Sequence, residues 1–81
     1  MTPRETVLDF FARNAKNPLP ANADDALACY YLDAGIIDSF GIVLMVTELE
    51  EKLAISLSAE DMQSYEFQTI GGLIEIGRAH V

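Results

Sequence analysis

Four signatures of helix entry punctuate this chain, and they leave it little to fold into besides a cluster of helices. Thr2-Pro3-Arg4-Glu5 joins a capping threonine, a proline suited to the first helical position and a glutamate that completes a capping box. Asp38 stands as an N-cap ahead of Ser39, a role that stabilises a helix by about 1 kcal/mol relative to alanine. Ser58 with Asp61 makes a second capping box, and Thr69 caps a final segment.

Apolar residues follow each entry at helical spacing. In the first segment Val7, Leu8, Phe11 and Ala15 form the stripe, Phe10 widens it, and Asp9, Arg13 and Asn14 face water. Asn17-Pro18-Leu19-Pro20 cannot continue a helix, so this one ends near Lys16. The second runs from Ser39 to Lys52 with Val43, Val46, Leu49 and Leu53 as the core stripe and Ile42 beside it; Glu48, Glu50, Glu51 and Lys52 mark a wet face. Ile55 and Leu57 read as extended, and a brief helix follows to about Tyr65. In the last helix Ile70, Leu73, Ile74 and Ile76 are the apolar positions. Gly71 and Gly72 weaken that helix by nearly 1 kcal/mol each relative to alanine, so it depends on tertiary packing.

The expected fold is therefore all-α, a four-helix bundle of three longer helices and one short one. Residues 17–38 form a long loop between the first two helices. Within the loop, residues 26–32 are expected to hold a turn of helix, Gly35 marks a bend, and Ile36 and Ile37 are anchors. Long loops in small domains often carry function. Ala79 to Val81, His80 among them, read as a solvated tail.

Eighty-one residues make a single domain spanning 1–81, and 51 % apolar content is enough for a core, which argues against disorder. Five basic residues against 13 acidic ones give a net charge of −8. That balance excludes a nucleic-acid footprint and suits partners with basic patches. Cys29 is the single cysteine and cannot form an internal disulfide, which points to a reducing, cytoplasmic setting. No apolar run approaches the roughly 20 residues of a membrane span, and no leader is expected at the N-terminus.

Catalytic constellations are hard to build from this inventory. His80 is the only histidine, and there is no Gly-x-Ser-x-Gly elbow or glycine-rich phosphate loop. Cysteine and histidine are too few for a zinc site, and Asp24, Asp25 and Asp33 do not match a calcium loop. Cys29 reads as a small buried apolar residue. No enzyme activity, catalytic residue or metal is expected.

What stands out is the octet Ala34-Gly35-Ile36-Ile37-Asp38-Ser39-Phe40-Gly41. A serine follows a bend and sits at the mouth of a helix beside a capping aspartate, where its hydroxyl is exposed and phosphate is favoured. Asp-Ser is also a common helix start, so alone the octet admits a purely structural role. The first half of that helix is apolar nearly all round, from Phe40 to Val46: it is wholly buried, or one side awaits a partner.

The octet resembles the Gly-x-hydrophobic-Asp-Ser-Leu attachment motif of the acyl carrier protein family, including its D-alanyl and other aminoacyl carrier relatives, with Phe40 in place of leucine. The resemblance continues through Val43, Val46, Leu49-Glu50-Glu51-Lys52-Leu53, Ile55, Phe67-Gln68-Thr69-Ile70 and the last helix, covering nearly the whole chain. It implies a carrier of acyl or aminoacyl cargo. Ser39 would receive 4′-phosphopantetheine from coenzyme A through a phosphopantetheinyl transferase, with Asp38 as the cap beside it. Cargo would ride as a thioester, and the chemistry would belong to the arm and to partner enzymes. Those partners would be a loading enzyme and a downstream acyltransferase or synthase, in fatty-acid, polyketide, nonribosomal-peptide or cell-envelope biosynthesis, and the carrier would be monomeric. Family members in fatty-acid synthesis usually carry acidic residues early in this helix. Here Gly41 and Leu44 occupy that stretch and the acidic residues come later, at Glu48, Glu50 and Glu51. The departure points to a specialised carrier loaded by an adenylating enzyme. Its partner surface would be Phe40, Leu44 and Thr47 on one face, extended by Glu48 and Glu51, unless Phe40 and Leu44 belong to the core. Gly41 would loosen the first turn. The alternative function is a carrier-like interaction module that never receives the arm; a hydrolase using Ser39 lacks a nearby base.

Overall fold

Each capping signal opens a helix. The computed structural model describes residues 2–80. Helix α1 spans Pro3–Asn14, and Thr2 and Glu5 exchange hydrogen bonds of 3.1 Å in a complete capping box. Helix α2, Ala23–Ala28, starts where the Asn22 side chain accepts from the backbone N–H groups of Asp24 and Asp25. Helix α3 spans Ser39–Leu53 and α4 Ala59–Gln63, the latter under the Ser58–Asp61 box. A 3-10 turn, Tyr65–Gln68, leads to helix α5, Ile70–His80, where the Thr69 hydroxyl accepts from the Gly72 N–H at 3.0 Å.

The class is all-α: no strand forms among the described residues, and a lone antiparallel bridge joins Tyr30 to Thr69. The long loop is not uniform, however. It holds α2 at 23–28 rather than a turn over 26–32, because Asn22 caps the chain and starts the helix three residues earlier than the apolar run suggests.

The core gathers Val7, Phe10 and Phe11 of α1, Tyr31, Ile36 and Ile37 of the loop, Met45 and Leu49 of α3, Leu57, Phe67, and Ile70, Leu73, Ile74 and Ile76 of α5. Phe11 meets Phe10 edge-on at 5.5 Å and Tyr31 at 5.3 Å, distances at which aromatic pairs attract. Helix α5 packs on α1, α2 and the 3-10 turn, and α3 packs on α1. Gly72 explains itself here, since a Cβ at that position would run into the Glu66 backbone. The helix weakened by glycine is thus the one pressed closest to its neighbours. Cys29 is partly buried against the core.

The described residues form five α-helices where a four-helix bundle is expected, because Asn22 caps an additional short helix, and two further expectations change. The core face of α3 is Met45 and Leu49, supported by Ile42, Val46 and Leu53, whereas Val43 is exposed. The run 42, 45, 46, 49, 53 is as regular at helical spacing as the expected one, so a helix apolar on two sides leaves the choice to packing. The C-terminal residues are also no loose tail through position 80. Helix α5 continues to His80, whose Nε2 lies 2.8 Å from Asp61 Oδ2 and ties the end of α5 to the start of α4. Val81 lies outside the described residues. No helix among them is long and apolar enough to cross a membrane.

Candidate functional site

The approach to α3 is built by hydrogen bonds from the far side of the loop. Gly35 takes φ +70°, a left-handed conformation that glycine adopts without strain. Its carbonyl accepts from Asn17 Nδ2 at 2.8 Å, and the backbone N–H of Lys16 donates to Ile36 O at 2.7 Å. Ile36 and Ile37 are buried, and both donate their N–H to the carbonyl of Tyr31. The anchors expected from sequence therefore fix the segment that delivers Asp38 and Ser39.

Asp38 caps α3 as expected, its Oδ1 accepting from the Gly41 N–H at 2.9 Å. Its Oδ2 lies 2.6 Å from Lys16 Nζ. The Lys16 ammonium, with help from the Gly41 N–H, holds the carboxyl below the usual aspartate range. Gly41 has a packing reason: a Cβ there would sit 3.0 Å from Ile37 Cβ, so glycine lets the capped turn close over that anchor. Close packing on Ile37 thus gives Gly41 a structural reason besides the loosening expected of it.

Ser39 is the first residue of α3 and is exposed, and among the described residues no side chain hydrogen-bonds its hydroxyl. His80, the one histidine, is engaged with Asp61 instead. Beyond Ser39, Phe40 is 70 % exposed, Val43 61 % and Leu44 44 %. Thr47 is exposed too, with its hydroxyl donating to Val43 O at 3.0 Å. Positions 40, 43, 44 and 47 share one helical face, so the strip contains the three expected residues plus Val43. Glu51 is exposed beyond it. Glu48 is not free in the same way: its carboxylate is paired with Arg13 of α1 and, at 3.6 Å, with Lys52. Glu50 turns inward to accept from the Leu57 N–H at 2.8 Å.

One turn along α3 from Ser39, Ile42 lines an open cleft of about 290 Å³ with Tyr30, Tyr31, Leu32, Asp33, Phe67 and Gln68. The buried Tyr31 hydroxyl donates to the Phe67 carbonyl and so braces the loop against the 3-10 turn. Burial pushes the Tyr31 pKa up, so it stays a neutral donor. Sequence reasoning missed Lys16, Asn17 and this cleft, all of which depend on residues far apart in the chain. The one local hint was a lysine just past the end of α1.

The site is thus a small helical domain's exposed serine, held at a capped helix mouth beside Asp38 and Lys16. The sequence pattern of the family described as a phosphopantetheine attachment site matches residues 5–76. The chain belongs to that family, whose members are carrier domains with covalently attached 4′-phosphopantetheine. No solved structure matches it. The surroundings of Ser39 fit a phosphodiester: the hydroxyl is exposed, the first turn of α3 holds no acidic residue, and a lysine ammonium stands beside the cap. The backbone N–H groups at the start of a helix also favour an anion.

Proposed function

We propose that this chain is an acyl or aminoacyl carrier that holds its cargo as a thioester on a phosphopantetheine arm at Ser39. The observation that carries the proposal is the placement of Ser39 at the capped mouth of α3, exposed and without a hydrogen-bonding side chain, within the matched family region. Ser39 supplies the oxygen that forms the new bond to phosphorus. The pyrophosphate link of coenzyme A breaks, 3′,5′-adenosine bisphosphate leaves with the bridging oxygen, and the hydroxyl proton leaves to the transferase. The arm supplies a terminal thiol on which cargo is carried.

This chain's own work is then presentation. Asp38 fixes the direction of Ser39, and Ile36 and Ile37 hold the turn in place. Phe40, Val43, Leu44 and Thr47 offer an apolar face to the transferase, the loading enzyme and the downstream synthase, with Glu51 at its rim. The apolar beginning of α3 favours a specialised carrier over one read through acidic residues beside the serine.

Incubation with coenzyme A, magnesium and a broad-specificity phosphopantetheinyl transferase tests the proposal. It predicts a mass gain of one phosphopantetheine, mapped to Ser39. A folded protein that gains nothing beside a working control carrier would favour the second reading, a binding module that uses the exposed face of α3 alone.

A further inference from the structure

Lys16 and Asp38 are 22 positions apart in sequence, yet one residue reaches the site twice. The Lys16 backbone donates to Ile36 O at 2.7 Å and its ammonium to Asp38 Oδ2 at 2.6 Å. The fold gains little from the second contact. Both side chains are more than half exposed, at 64 % and 51 %, and pairs of that kind are weak. The Asp38 cap needs only Oδ1, which already accepts from Gly41. The other cations with ion partners serve elsewhere: Arg13 pairs with Asp9 and Glu48, Lys52 with Glu48, and Arg78 with Glu75. Lys16 is the basic residue held directly against the residue that precedes Ser39.

Modification changes the charge problem at that point. A phosphodiester on Ser39 places a permanent anion next to the Asp38 carboxylate, in a chain of net charge −8. Like charges at such separation repel, and a shared cation offsets the repulsion. An ammonium has three donors, so it can keep Asp38 Oδ2 and offer another N–H to a phosphate oxygen. We infer that Lys16 is a positioning residue for the modified site, its ammonium bridging Asp38 and the phosphodiester of Ser39. The inference rests on attachment at Ser39. It gives the pair a purpose that the unmodified fold does not require.

The test compares modified and unmodified forms of the wild type, Lys16→Gln, Lys16→Arg and, as a control, Lys52→Gln. Intact mass comes first. A wild type that gains no arm at Ser39 contradicts the attachment reading itself and is seen before any comparison is made. On loaded protein, Lys16→Gln should move the phosphorus NMR resonance of the arm, and Lys52→Gln should not. In low salt the loss of Tm on Lys16→Gln should be about 2 °C larger in the modified form than in the unmodified one. The excess should fade in strong salt and be restored by Lys16→Arg. Equal losses in both forms, with the phosphorus resonance unmoved, would overturn the inference and leave Lys16 as a brace for Asp38 alone.

Discussion

Helices α3 and α5 are both rich in large apolar side chains, and the protein uses them in opposite ways. Helix α5 buries Ile70, Leu73, Ile74, Ile76 and even Gly77, and it presses Gly72 onto the 3-10 turn. Helix α3 is four residues longer, 15 against 11, yet only Met45 and Leu49 are fully buried, while Phe40, Val43 and Leu44 stand in solvent. Glycine in α5 serves close approach to the core, and glycine in α3 serves a tightly capped turn beside Ser39. The lesson is that apolar content alone does not locate a core. The apolar face of α3 left uncovered next to the exposed Ser39 is the surface proposed for partners.

That contrast is most easily broken by truncation on both helices. Leu73→Ala should cost about 2–5 kcal/mol in urea unfolding, as expected for emptying a well-packed site. Leu44→Ser should change stability by no more than about 0.5 kcal/mol, as an exposed position does. Comparable losses at both would mean that the α3 face belongs to the core. The same Leu44→Ser, or Phe40→Ser, should slow loading or cargo transfer about tenfold through lost partner contact. Steady-state kinetics with the partner in limiting concentration would show it.

Acid sharpens the comparison at the helix mouths. Glu5, Asp38 and Asp61 each cap a helix start, and each has its pKa lowered, Glu5 and Asp61 mainly by backbone N–H groups and Asp38 mainly by Lys16. A carboxyl with a depressed folded pKa contributes stability that is complete above its unfolded value. That contribution is lost as pH falls through the folded value. Stability should therefore be flat near neutrality and decline below about pH 4. Asp38→Asn should flatten its share of the decline, measured as Tm against pH. The smallest effect concerns the far end of α3, where Ala54 takes φ 55° in the left-handed region. Ala54→Gly should raise stability by about 0.5–1 kcal/mol in urea unfolding without altering the Ser39 end.

How far the sequence reveals this structure follows from the range of each interaction. Caps act over three residues, so Thr2 with Glu5, Asp38 with Gly41, Ser58 with Asp61 and Thr69 with Gly72 are readable as local signals, and four helix starts follow from them. The short α2 was less legible because its apolar run lies downstream of its cap at Asn22. The facing of α3 was illegible in principle, since residues 42, 45, 46, 49 and 53 and residues 40, 43, 44 and 47 are both apolar-rich rows at helical spacing. Lys16, the Tyr31 brace and the His80–Asp61 contact join residues 19 to 36 positions apart. No local pattern announces such contacts. The placement of Ser39 at the exposed mouth of α3 is legible because its cap, its bend and its buried anchors are consecutive.

The measurement that bears most directly on this account is the parallel loading and melting of wild type and Ser39→Ala. Ser39 is exposed and engages no side chain, so the variant should melt within about 2 °C of wild type while gaining no mass from coenzyme A and the transferase. Wild type should gain one phosphopantetheine. A variant that still gains the arm, or that loses its fold, would contradict the claim that the protein spends this residue on chemistry and not on structure.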